Sequence, residues 1–89
     1  MSRRATPEYE HPSQDELNES GVISTNGFKT WASFCGKSLG EFEDETEARK
    51  AIRREMDRQK YWPNCYFVND HGNVDLISVR TGRIYASWV

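Results

Sequence analysis

One segment limits the architecture more than any other. The run DETEARKAIRREMDRQK, residues 44–60, is rich in strong helix formers and holds neither Gly nor Pro. Asp44 is a good N-cap, and Glu47 three positions on matches a capping box. Ala48, Ile52 and Met56 recur every four residues with Ala51 beside them, an apolar stripe wide enough to cover part of a sheet and no more. Everything after residue 20 outside this run reads as strand and turn. A chain of 89 residues holding one such helix is therefore expected to form one small α+β domain.

The strands are read from β-branched and aromatic clusters between turn residues. Val22–Thr25 and Phe28–Trp31 flank Asn26-Gly27, a pair suited to a type I′ hairpin. A turn at Cys35-Gly36-Lys37 leads into a third strand, about Ser38 to Glu43. After the helix, where Pro63 is expected to be the stop, Cys65–Asn69 and Val74–Val79 flank a turn at Asn69-Asp70-His71-Gly72. Thr81-Gly82 turns the chain into a last strand, Ile84–Val89. The expected order is β-β-β-α-β-β-β, an antiparallel sheet with one packed helix. Residues 21–89 form the domain, and residues 1–20 form a disordered, mobile N-terminal tail. Within that tail, Ser13-Gln14-Asp15-Glu16 has capping-box spacing for a short helical turn.

Six strands at ~4.8 Å spacing span about 24 Å, whereas a helix is about 10 Å wide. One helix would leave much of the sheet open, with three Trp, four Tyr and four Phe still to place. Either the sheet curls on itself or its open side meets a partner, which points to a binding surface or a homodimer.

The charge balance weighs against some functions. Residues 1–44 carry four basic and eight acidic groups, and residues 45–89 carry eight basic and six acidic. A net charge of −2 gives no electrostatic footprint for strong nonspecific nucleic-acid binding. No apolar run exceeds Tyr66-Phe67-Val68 and the Cys65 before it, so no membrane contact is expected. The opening Met-Ser-Arg-Arg lacks the apolar segment that secretion requires, and the expected location is the cytosol. Cys35 and Cys65 are expected to be reduced packing residues there, rather than a disulfide or a zinc pair.

The alternation Asn69, His71, Asn73, Asp75 invites a metal reading. A calcium loop, however, needs D-x-[DN]-x-[DN]-G with Glu at position twelve, and neither is present. Turn chemistry accounts for these residues, since Asn and Asp bond their own backbone and Gly supplies a positive φ. His71 with Asp70 or Asp75 would need Cys35 or Cys65 beside it to make a catalytic constellation. No catalytic residue, metal ligand or cofactor is assigned, and the chain is not expected to be an enzyme.

The residues expected to meet a partner are the basic helix groups Arg49, Lys50, Arg53, Arg54 and Arg58 with Asp70, His71 and Asn73 of the turn. Along the helix, Glu45–Arg49 and Arg53–Asp57 are spaced for ion pairs. Trp31, Trp62 and Trp88, with Tyr61, Tyr66 and Tyr85, are expected mainly in the core and at interfaces, with Tyr61 and Trp62 lidding the core. They also have the chemistry to stack bases.

Two resemblances add context. LGEFEDETEA, residues 39–48, resembles the strand-to-helix junction of plant ethylene-response-type DNA-binding domains. The strands here lack the arginine alternation of such a sheet, with only Lys29 and Lys37 basic between residues 22 and 43. NGFKTW at 26–31 and YWPNCYFVNDHGN at 61–73 resemble small proteins of bacteriophages, prophages and other mobile elements that join an NGFKxW segment, a helix and a YWPNxxFVxDHGN hairpin. This second likeness spans roughly residues 22–79. It implies a small protein in the host cytosol that binds a host protein, inhibition of a defence system such as CRISPR being one form. A homodimer is a further expected association, and a nucleic-acid-binding module using the basic helix face is the alternative.

Overall fold

The computed structural model describes residues 12–88. Strands β1 (Gly21–Thr25), β2 (Thr30–Phe34) and β3 (Lys37–Phe42) precede helix α2 (Glu45–Gln59). Strands β4 (Cys65–Val68), β5 (Val74–Ile77) and β6 (Ile84–Trp88) follow it, and a five-residue helix, α1 (Gln14–Asn18), comes before β1. The architecture is the expected α+β one, with a six-stranded sheet in the order β3-β2-β1-β4-β5-β6.

One strand pair departs from the antiparallel expectation. β1 and β4 run parallel, Gly21 opposite Cys65 and Ser24 opposite Val68. The chain makes β1, β2 and β3 outward to one edge, and α2 carries it back across the sheet to set β4 beside β1. Parallel neighbours need such a crossover, and α2 supplies it.

The helix forms as its sequence dictates. Asp44 accepts a hydrogen bond from the Glu47 N–H at 3.0 Å, satisfying an otherwise orphaned donor. Ala48, Ile52 and Met56 are all buried. They meet Ile23, Ala32, Phe34, Cys65 and Ile77 in the main core. Pro63 is not the stop. Lys60 takes a left-handed conformation (φ 56°), and its N–H and that of Tyr61 both donate to the Met56 carbonyl. This left-handed cap closes the helix three residues before the proline.

The other sheet face has its own smaller core. Tyr66, Val74 and Leu76 are buried there, and Leu17 of α1 packs on them. Ser13 caps α1 by accepting from the Glu16 N–H at 3.1 Å. Tyr66 donates its hydroxyl to Glu16 Oε2 at 2.7 Å. The structure thus places residues 14–18 on the domain, not in a tail. The expectation for residues 1–11 falls outside the described residues.

Turn chemistry differs from expectation at two places. The β1–β2 loop has four residues, Asn26–Lys29, not a two-residue Asn-Gly turn. The two-residue turn is Cys35-Gly36, where φ is 53° and 81°, the doubly positive signature of type I′. Cys35 is accordingly exposed rather than a packing residue, while Cys65 is buried as expected; neither forms a disulfide.

Candidate functional site

The two chemistry-bearing turns of the sequence come together at one end of the sheet. They follow β1 and β4, which lie side by side and parallel. An atom added as Cβ on Gly27 would stand 3.3 Å from Asp70 Oδ2, so the turns touch. Each is organised by an asparagine. Asn26 Oδ1 accepts from the N–H groups of Phe28 and Lys29, both at 2.9 Å. Asn69 Oδ1 accepts from His71 and Asn73 at 2.9 and 3.0 Å. Asp70 takes no part in this backbone bonding, and its carboxylate lies against Gly27 of the neighbouring turn. His71 Nε2 lies 3.9 Å from Asp70 Oδ1, an ion-pair distance beyond hydrogen-bond range.

Phe28, placed in a strand by its sequence, is the outlier at this end. It is 91% exposed, more than any other large apolar residue described. Its loop is tightly held. Thr25 Oγ1 donates to the Lys29 carbonyl at 2.8 Å and accepts from Gly27 N–H, and Asn26 N–H donates to the same carbonyl. These bonds fix the loop backbone that carries the exposed ring.

The basic helix residues do not join this end as a group. Arg49 is largely buried. Its Nε approaches Glu45 Oε2 at 3.6 Å without a hydrogen-bond partner, and its guanidinium lies over Gly82, where a Cβ would sit 2.9 Å from Cζ. That position removes Arg49 from the free surface. Lys50 pairs with Glu47 at 3.4 Å, and Arg58 pairs with Glu55. The expected Arg53–Asp57 pair is absent; Asp57 instead accepts from Trp62 Nε1 at 3.3 Å. Arg53 and Arg54 are exposed and make no ion pair among the described residues.

Arg53 lines a second feature, at the opposite end of β4. A cleft of about 260 Å³ opens between α2 and the β5–β6 connection, with Arg53, Asp57, Trp62, Arg80 and Tyr85 on its walls. Trp62 and Tyr85 are more than half exposed, so Trp62 does not lid the core as expected. Tyr61 comes closer to that role, its ring meeting Phe34 edge-on at 6.2 Å. Arg80 is not among the residues expected to meet a partner, and Tyr85 is expected mainly in the core or at an interface, because they meet Arg53 only through the fold.

Among the described residues, no three His, Cys, Asp or Glu side chains gather as a metal site. Cys65 stands at the start of β4 and His71 beyond its end. Burial pushes the Cys65 thiol up to about 12 from an ordinary 9.0, the direction opposite to an activated nucleophile. Burial, then the bond to Glu16, pushes Tyr66 up to about 12 from 10.0.

These shifts make the fold sensitive to alkali. Each group's folded pKa lies above its unfolded value. The stability it contributes is complete below pH 9 for Cys65 and below pH 10 for Tyr66, and is lost as pH rises toward 12. The urea midpoint is expected to hold between pH 7 and 8.5 and to fall beyond pH 9. In Cys65→Ala the fall should begin about one pH unit later. A midpoint unchanged up to pH 11 would contradict the burial of both groups.

No protein-family model, curated protein or solved structure matches this chain. Among the described residues, no helix is long and apolar enough to cross a membrane.

Proposed function

We propose that the chain is a small non-enzymatic binding protein of a phage or other mobile element. It acts by occupying a surface on a host protein in the host cytosol, inhibition of a bacterial defence system such as CRISPR being one form. The observation that carries this reading is Phe28. A ring left 91% exposed on a loop fixed by its own hydrogen bonds serves no core, and its loop meets the Asp70 turn at Gly27, a setting that supports an apolar interface anchor with a polar neighbour.

The test is capture from bacterial lysate with the wild type and with Phe28→Asp. Because Phe28 packs on little, the variant should keep its stability within about 0.5 kcal/mol. Affinity for a stoichiometric partner should fall about 30-fold or more, as for a central aromatic anchor. Absence of any stoichiometric partner, or one held equally well by Phe28→Asp, overturns the reading. A gene neighbourhood of defence inhibitors would favour the anti-defence form.

A nucleic-acid module is the second reading. It is favoured by one observation, that Arg53 and Arg80 share a cleft with the exposed rings of Trp62 and Tyr85. It requires salt-dependent binding of single strands, and absence of binding at low salt ends it.

A further inference from the structure

The two edges of the sheet are unequal. An edge strand offers unpaired N–H and C=O groups to any extended chain, and proteins blunt such edges with charges, bulges or short strands. Edge strand β3 is blunted. It carries Lys37 and Glu41, and this charge rather than regularity sets the edges apart, since the pairing of β3 with β2 is irregular at Ala32/Ser33 and that of β6 with β5 at Leu76/Ile77. At the other edge, Ile84–Trp88 holds no charged residue, and Ile84 and Tyr85 are both about half exposed. The β5–β6 register skips one residue, Ile77 facing Ile84 and Leu76 facing Ala86, which leaves Tyr85 as the extra residue. Tyr85 is also a wall of the cleft. The open edge and the cleft are therefore one continuous surface.

The charge on that surface selects its occupant. Arg53, Arg80 and Arg83 make no ion pair among the described residues. Arg53 and Arg80 line the cleft, and Arg83 directly precedes the edge strand. Asp57, the one acid on the walls, accepts from Trp62 and keeps its charge, so the two cleft arginines outnumber it and Arg83 adds to the excess. We propose that β6 and the cleft bind an extended acidic polypeptide segment of a partner protein, which adds a seventh strand beside β6. The added strand would place apolar side chains against Trp62 and Tyr85 and carboxylates at Arg53 and Arg80. A strand edge presents carbonyl acceptors as well as donors. A peptide backbone supplies both N–H donors and carbonyl acceptors at the repeat of the edge, whereas the phosphates of a nucleic-acid backbone only accept, so backbone pairing along β6 favours a peptide. This surface is separate from the Phe28 end and does not depend on the reading given for it.

The test uses the full chain and blocked ten-residue peptides whose every second residue is in turn Glu or Asp and Val, Ile, Leu or Phe, with Thr between, so that acids and apolar groups share one face. Twins carry Lys in place of the acids, or N-methyl groups at alternate positions. Binding is followed by fluorescence anisotropy and by amide chemical shifts. Saturable binding by acidic members is expected, with shifts concentrated at residues 83–88. Affinity should drop about tenfold or more in Arg80→Glu and in Ile84→Glu, both at exposed positions. The Lys and N-methyl twins should bind far more weakly. Five results each overturn the proposal: no acidic member binding below about 1 mM; equal binding by the Lys or N-methyl twins; a stable dimer in light scattering that Ile84→Glu dissociates, which would give the edge to a second copy; a thymidine oligonucleotide displacing the peptide from the same amides; or loss of peptide binding in Phe28→Asp.

Discussion

Phe34→Ala is expected to destabilise the fold by about 3–5 kcal/mol, a fifth or more of the roughly 5–15 kcal/mol typical of a small domain. Phe34 is 1% exposed and among the largest fully buried side chains. It ends β2, faces Gly21 across the pair with β1, and lies in the core formed with Ile52 and Met56. It also holds the helix exit, since the Tyr61 ring meets it edge-on at 6.2 Å and 71°. The substitution empties a space bounded by sheet and helix that the short strands cannot close. Urea denaturation followed by circular dichroism measures the loss. A cost under about 1 kcal/mol would mean that this core relaxes freely, contrary to close packing.

The second large effect lies at the parallel junction. Ile52→Ala is expected to cost about 2–5 kcal/mol, because Ile52 is fully buried under the middle of α2. Its Cγ2 lies 3.0 Å from where a Cβ on Gly21 would stand, and Cys65 Sγ is equally near. Gly21→Ala alone is therefore expected to destabilise by overpacking, about 1–3 kcal/mol. The double variant should lose less than the sum of the two, by about 0.5 kcal/mol or more, because the new methyl fills part of the space Ile52 leaves. Additive losses would show that Cys65, not Ile52, is the limiting neighbour of Gly21.

Gly21 shows why these effects could not be read in advance. In the sequence it is a glycine between a polar segment and a strand. Only the return of the chain through α2 brings Cys65 beside it, and only then does the missing side chain matter. The helix was legible for the opposite reason. Asp44, Glu47 and the stripe Ala48, Ile52, Met56 act over one to three turns, so their spacing carries the information. The same holds for the Asn69–Asn73 turn, where Asn69 rather than Asp70 makes the hydrogen bonds.

The candidate surfaces divide along the same line. Asp70 and His71 were legible as an exposed turn. Phe28 was assigned to a strand because its neighbours are β-formers, but the loop of Asn26–Lys29 is two residues longer than an Asn-Gly turn and lifts the ring out. Arg49 had the spacing of a surface cation, yet the β5–β6 connection folds over it.

The sequence by itself determined the inventory and most of the element limits: one capped helix with a narrow apolar stripe, six short strands, and turns of Asn and Gly. These follow from interactions within a few residues. The tertiary structure alone decided that β4 lies parallel to β1, that the two asparagine turns meet, that Arg53, Trp62, Arg80 and Tyr85 share a cleft, and that β6, a strand without charged residues, ends the sheet among the described residues. Each of these depends on which distant strands become neighbours. Pairing over some forty residues is set by how the whole core closes, and local periodicity carries no record of it.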